Sequence, residues 1–447
     1  MFEYAKKFVG EAVLSQATRY LGKDPEKNLE NLVNLADKLA VREQHKQIVA
    51  SARRNLLKSN SHWRHLLVAT LNETHPKVRE RLAVNFVLNC VLLGIPKQYE
   101  LAEKLGYSVP WAILFDPTDR CNLRCKGCWA GEYAKRNDIE LELLDRIVTE
   151  GEELHIFFYV VSGGEPLVRK SDIIQLAKRH PDSVFHIFTN GTLIDEQFAR
   201  ECVDAANLTF AISIEGFEKT NDLRRGKGTF AKIMRAADIL REHGLIFGFS
   251  TTYHRHNTEE VTSDSFIDML IDKGFRFGWF FTYVPVGADS DLDFMATPEQ
   301  RGYVYKRINE LRQSKPVFLA DFWNDGETVN GCIAGGRRYF HINAAGDVEP
   351  CAFIHYSCCN VRNTSIREAL GNPLFLAYQR RQPFNSNHLR PCPLLDNPRS
   401  LVECVKESQA GSTQVLPVDV EELADSLDEY ASKWANQAER LWAERCL

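Results

Sequence analysis

From Trp111 onward the chain alternates between two periodicities, and that alternation limits its possible folds more than any other feature. Short apolar runs, "WAILFD", "HIFFYVVS", "VFHIFT", "LTFAISI", "IFGFSTT" and "RFGWFFT", are each followed by a polar or glycine-bearing loop and then by a helical stretch such as "DIIQLAKRH" or "FAKIMRAADILREHG". Apolar runs of this length, bounded by turn residues, read as strands. Six strands alternating with helices imply parallel pairing through right-handed crossovers, because a parallel neighbour is reached only by a connection long enough to hold a helix. The class is α/β, with an open or closed barrel-like sheet whose working loops lie at the C-terminal ends of the strands.

The flanks read differently. Residues 1–109 repeat apolar residues at three and four, as in "NLENLVNLADKLA" and "KVRERLAVNFVLNCVLLGI", and predict a helical N-terminal domain. The barrel occupies residues 110–314. From 315 to 447 the pattern breaks into short strands and turns, with "RRYFHINAAGDVEPC" predicted as a hairpin turning at "NAAG", and it closes with an amphipathic helix from Val420 to Arg445. Three units suit a chain of 447 residues. Lysine plus arginine number 55 against 60 aspartate plus glutamate, a net charge of -5 with no long block of one sign, so nucleic acid is not an expected partner. The N-terminus lacks the uninterrupted apolar stretch of a secretory signal, and no segment reaches the roughly 20 apolar residues of a membrane span. A cytoplasmic location follows as the expectation.

Twelve cysteines are too few for a disulfide scaffold in a chain this long, and their clustering points to metal or redox chemistry. Three of them, Cys121, Cys125 and Cys128 in "CNLRCKGCW", sit in the loop after the first strand, where chemistry is expected. Structural zinc takes four ligands, so a histidine or a distant cysteine would have to complete a zinc site. A [4Fe-4S] cluster takes one thiolate per iron, so three cysteines leave one iron open to a substrate or cofactor. Spacing alone leaves both readings standing.

The C-x3-C-x2-C loop after the first strand, followed by "SGGEPL" after the second, resembles the radical S-adenosylmethionine (SAM) superfamily over about Trp111 to Val286. The resemblance implies a partial six-stranded (β/α)6 barrel. It further implies that Cys121, Cys125 and Cys128 hold a [4Fe-4S] cluster whose open iron chelates the amino and carboxylate groups of SAM, and that reduction by a donor such as flavodoxin or ferredoxin releases methionine and a 5′-deoxyadenosyl radical. Gly163 and Gly164 would let the backbone approach the methionine moiety, and Glu165 would pair with its amino group. Thr189 and Asn190 in "TNGT" end the third strand, where small polar groups suit a cofactor. Ser213 and Glu215 in "SIEG" end the fourth and suit its ribose or polar head, and Arg225 suits its carboxylate. Many members place an aromatic residue just before the third cysteine, whereas here that position is Gly127 and Trp129 follows the cysteine.

Cys332, thirteen residues, Gly346, four residues and Cys351 resemble the opening of a SPASM or twitch extension, which implies a small α+β unit holding an auxiliary [4Fe-4S] cluster. Its expected ligands are Cys332, Cys351 and Cys392, with the fourth open and Cys358 or Cys359 as candidates. Cys90, Cys202 and Cys446 lie in helical patterns and read as small core residues. Tyr283, Asp321 and Glu327 are candidate catalytic residues beside the barrel. For substrate, aromatic strands and apolar, basic-flanked N-terminal helices such as "SARRNLLKSNSHWRHLLVATL" favour a lipid or acyl chain and a peripheral contact at a membrane surface. The alternatives are a peptide, as the extension implies, and a non-enzymatic iron–sulfur or zinc protein.

Overall fold

A computed structural model describes residues 2–39, 43–131, 137–287 and 289–444, so Arg445 and Cys446 lie outside the described residues. All six apolar runs form strands: β1 Ala112–Phe115, β2 Phe158–Val161, β3 Val184–Thr189, β4 Leu208–Ser213, β5 Phe247–Tyr253 and β6 Phe277–Thr282. Each pairs in parallel with the next, and helices such as Lys170–Arg179 and Thr229–Glu242 fill the crossovers. A seventh parallel strand, β7 Phe318–Asp321, extends the sheet beyond β6. The predicted hairpin is present as β8 Tyr339–Ile342 and β9 Val348–Glu349, antiparallel to each other, and Gly346 supplies the positive φ of 93° that its turn requires. Beyond the hairpin itself, β8 also pairs in parallel with β1, so the sheet order is β7-β6-β5-β4-β3-β2-β1-β8-β9.

Register decides which side chains face inward. Leu114 on β1 sits opposite Val160 on β2, which sits opposite His186 on β3. Rings on this face meet across the sheet, with His186 on β3 lying 6.2 Å from Trp279 on β6 and Phe188 lying 5.9 Å from Phe281. Strands separated by two others touch in this way only if the sheet is curled with this face inside, which makes a partial barrel with an aromatic lumen. The opposite face, including Ile113, Tyr159, Ile187 and Phe249, is fully buried under the crossover helices. The N-terminal residues form helices up to Ile95–Leu105, with a wider π-type segment at Ala83–Gly94. No helix among the described residues is long and apolar enough to cross a membrane.

The C-terminal helix, Val420–Glu444, is fastened by one buried cation. Arg301, on helix Pro298–Ser314, reaches Asp396 at 2.6 Å, donates to Asn324 at 3.0 Å and stacks 4.0 Å over the Trp434 ring, with no solvent exposure. The other oxygen of Asp396 accepts from the Cys392 amide at 2.9 Å, so the same pair holds the last cysteine loop. Removing one partner of a buried pair strands the other charge in a dry site. Arg301→Met is therefore expected to destabilise the fold by about 3–5 kcal/mol in urea unfolding; a loss below about 1 kcal/mol, the scale of an exposed pair, would show that the clamp is dispensable.

Candidate functional site

Three loops meet at the C-terminal ends of β1, β2 and β3, and hydrogen bonds between them fix the rim of the lumen. The cluster loop passes so close beneath the second that a Cβ on Gly164 would lie 2.3 Å from the Arg120 carbonyl oxygen, so only glycine fits. The Gly164 amide donates to Thr118 O at 3.0 Å and the Glu165 amide to Arg120 O at 2.8 Å. Glu165 is buried and accepts from the Leu167 amide (3.0 Å), the Thr189 hydroxyl (2.6 Å) and the Asn190 amide (2.7 Å). Burial pushes its carboxyl up, and these donors oppose that. Asn190 also donates to Asn122 of the cluster loop at 2.8 Å. Glu165, Thr189 and Asn190 are thus brought together, tied to one another and to the loop of three cysteines.

The end of β4 carries a second knot. Glu215 accepts from Arg224 at 2.7 Å and from Arg225 at 2.6 Å through one oxygen, and from the Thr252 amide at 3.1 Å through the other. Burial alone would push Glu215 up, but the two guanidiniums hold it below the usual carboxylate range. Arg224 also lies near Cys128, whose thiol is pushed up by burial and the neighbouring Cys125 and drawn down in part by Arg224. Ser213 sits on the lumen face of β4 opposite Ser250. Both groups expected to meet the cofactor separately, Glu215 and Arg225, are here each other's partners.

Gly127 has φ +62° and its α-carbon faces Tyr283, where a Cβ would fall 2.6 Å from the ring. An aromatic residue at this position, as in many members of the resembling family, would collide with that ring, so Tyr283 occupies the space from the far side. The Tyr283 hydroxyl accepts from the Asp291 amide at 3.0 Å. Trp129 packs 5.9 Å from His341 and 5.7 Å from Phe353 and belongs to the wall of the rim.

Below the rim, a cavity of about 670 Å³ runs from Trp279, Ala320 and Phe322 of the lumen to Cys332, Cys351 and Cys392. Burial pushes each of these three thiols up to about 12. Such thiols stay protonated at neutral pH unless bound cations hold them as thiolates. Tyr339 donates to Cys351 Sγ at 2.7 Å, and the buried Tyr378 hydroxyl, with no partner of its own, faces the same cavity. Both tyrosines went unnoticed in the sequence because nothing in their spacing sets them apart from core. Cys358 does not line this cavity and its thiol reaches Ser408 O at 3.6 Å. Cys90 and Cys202 are buried core residues. Asp321 forms part of the cavity wall, accepts from Asn324 at 2.7 Å and is pushed up to about 7 by burial and the neighbouring Asp325, whereas Glu327 is exposed and outside the wall. Among the described residues no three His, Cys, Asp or Glu side chains are close enough to hold a single metal ion.

Three ionisable residues that sequence reading passed over share the rim. Asp116, two residues after Leu114 on the lumen face, reaches His341 Nε2 at 2.8 Å, and Glu349 reaches His341 Nδ1 at 2.7 Å. The one available signal was an acid closing the apolar run "WAILFD", five residues before the first cysteine.

The Radical SAM superfamily model matches residues 115–265. A Fe-coproporphyrin III synthase from Methanosarcina barkeri is 31% identical over 219 residues, 45% of this chain and 52% of its own length. A PqqA peptide cyclase from Granulibacter bethesdensis is 27% identical over 259 residues, 54% of this chain and 67% of its own. The chain thus spans about half the length of the first of these relatives. Among solved structures, Streptococcus suis SuiB bound to S-adenosylmethionine superposes with a TM-score of 0.55 at 16% identity, over 76% of this chain and 82% of that one, which shows a shared fold.

The contact between Gly127 and Tyr283 yields a test. Gly127→Ala is expected to lower the iron bound per chain after anaerobic reconstitution, because the loop must move to clear the ring. Adding Tyr283→Ala is expected to restore part of it; iron content unchanged by Gly127→Ala would show that the loop tolerates a side chain there.

Proposed function

The chain belongs to the radical SAM superfamily, and on that premise we propose that it modifies a peptide, one side chain of which enters the apolar lumen. Its cofactors are a [4Fe-4S] cluster and SAM. In this reading Cys121, Cys125 and Cys128 hold that cluster, and the loops of Gly163 to Glu165, Thr189 to Asn190 and Ser213 to Arg225 form the pocket for SAM. When bound, the reduced cluster and SAM supply one-electron chemistry that abstracts hydrogen from an unactivated C–H bond. The chain's own contribution is shape and dryness: Glu165 locks the loops, the Glu215–arginine knot keeps charge at the rim, and the rings of Trp279, Phe281 and Phe188 exclude water from the reacting carbon.

The observation that carries the reading is the single cavity linking the lumen rings to Cys332, Cys351 and Cys392. We assign those thiols to an auxiliary [4Fe-4S] cluster because all three line this one cavity. A side chain in the cavity then lies between two redox centres. The likeness to a peptide cyclase supports a peptide, and the likeness to a Fe-coproporphyrin III synthase supports a tetrapyrrole as the second reading. The lipid or acyl-chain expectation has no counterpart among these named relatives, and no membrane contact or particular electron donor is supported by them.

Two measurements test this. Reconstituted protein is expected to bind close to eight irons per chain, and about four when Cys332, Cys351 and Cys392 are all replaced by alanine, because each cluster holds four. An unchanged iron content in the triple variant would remove the auxiliary cluster. With deuterated substrates, label is expected in 5′-deoxyadenosine from peptide; label arising only from a deuterated porphyrin would move the assignment to tetrapyrroles, and label only from lipid would reinstate the acyl-chain reading.

A further inference from the structure

The two acids beside the Gly163–Gly164 turn differ in what they have left to offer a ligand. Glu165, the acid the motif suggests for the amino group of SAM, is already committed to three protein donors, the Leu167 amide, the Thr189 hydroxyl and the Asn190 amide. Asp116 is also buried, with 5% exposure, yet only half used. Its Oδ2 meets His341 Nε2 at 2.8 Å, while its Oδ1 is buried and has no hydrogen-bond partner. A buried carboxylate oxygen left without a donor is costly, and in native structures such an atom is satisfied by a bound water, an ion or a ligand.

Position identifies the donor. Asp116 ends β1 on the lumen face, and Gly163 lies directly over it: a Cβ there would stand 2.9 Å from Asp116 Cβ and 2.4 Å from the Thr118 carbonyl oxygen. Gly163 also holds φ +111°, so both sterics and backbone keep a side chain off this carboxylate. The carboxylate is fixed rather than free to turn away, because His341 is itself gripped by Glu349 at 2.7 Å and Glu349 by Asn343 at 3.1 Å. At this corner the Thr118 and Arg120 carbonyls already accept from the Gly164 and Glu165 amides, so Asp116 Oδ1 is the acceptor left without a donor, and it suits a nitrogen bearing hydrogens.

We propose that Asp116 Oδ1 accepts a hydrogen bond from the α-amino group of SAM, and that Glu165 acts one step removed, as the residue that positions the loops around it. The inference rests on the reading that these loops form the SAM pocket. It makes Asp116 a cofactor-binding residue and His341 the group that aims it.

The ligand's own chemistry gives the test. Dissociation constants are measured for iron-loaded protein with SAM and with its deaminated analogue, in which hydrogen replaces the α-amino group. Asp116→Asn is expected to weaken SAM by roughly ten- to a hundredfold, the scale of a hydrogen bond to a charged group, and to leave the analogue within about twofold, because the partner of Asp116 is already missing from it. Glu165→Gln is expected to weaken both ligands alike, since it acts by loosening the loops. Should the asparagine variant fail to fold, Asp116→Ser, which keeps an acceptor without the charge, replaces it. Equal losses for both ligands in the Asp116 variant, or none for either, would overturn the inference while leaving the pocket in place. Wild-type protein that loads iron but binds neither ligand would overturn the pocket reading beneath it.

Discussion

One imidazole, His341, sits where the barrel and its C-terminal extension meet, and the placement of the lower cysteines depends on it. It stands on β8 between Asp116 on β1 and Glu349 on β9, at 2.8 and 2.7 Å. Burial pulls an imidazole toward its neutral form, but the two carboxylates outweigh that and raise His341 to about 10, so it is a cation at neutral pH. A buried charged group of this kind adds little net stability compared with apolar packing. What it gives is register. A slip of β8 by one residue would turn His341 to the outer face and leave two buried carboxylates unpaired, and the cost of that error holds Tyr339 opposite Ala112. Cys332 and Cys351, on either side of the hairpin strand, are thereby brought against the lumen.

The six central strands were legible because they are covered on both faces, which turns each into an almost unbroken apolar run. β7 carried less signal, since it is four residues long and begins with the exposed Phe318. The hairpin of β8 and β9 was readable from its turn, but the parallel pairing of β8 with β1 joins residues more than two hundred positions apart, and no local pattern encodes that. The site divided along the same line. Cysteine spacing marked the loops because metal ligation would restrict it, whereas the partners of the short polar motifs were set by the fold. Glu165 and Thr189 end neighbouring strands and so meet each other before they meet any ligand, as Glu215 and Arg225 do. Asp116 was invisible for the opposite reason: an acid before a proline looks like the end of a strand, and only its buried, half-used carboxylate sets it apart.

The same strands provide two different environments along their length, and this follows from where charge is tolerated. Near the base of the lumen His186 touches Phe158, Phe188, Phe277 and Trp279, and burial drives it down to about 3, so it is neutral there and bonds Thr209 at 2.8 Å. At the rim, one same-face position above the level of His186 on β1 and three above it beyond the end of β4, Asp116 is ionically paired and Glu215 binds two arginines. Charge survives burial only where a countercharge is fixed beside it, and the rim supplies countercharges while the base supplies rings. A zwitterionic head such as the methionine end of SAM would therefore suit the rim and not the base. An apolar group would have the opposite preference, so in the proposed reading the polarity gradient along the strands would order the two ligands, with the substrate's C–H bonds approaching the cofactor from below.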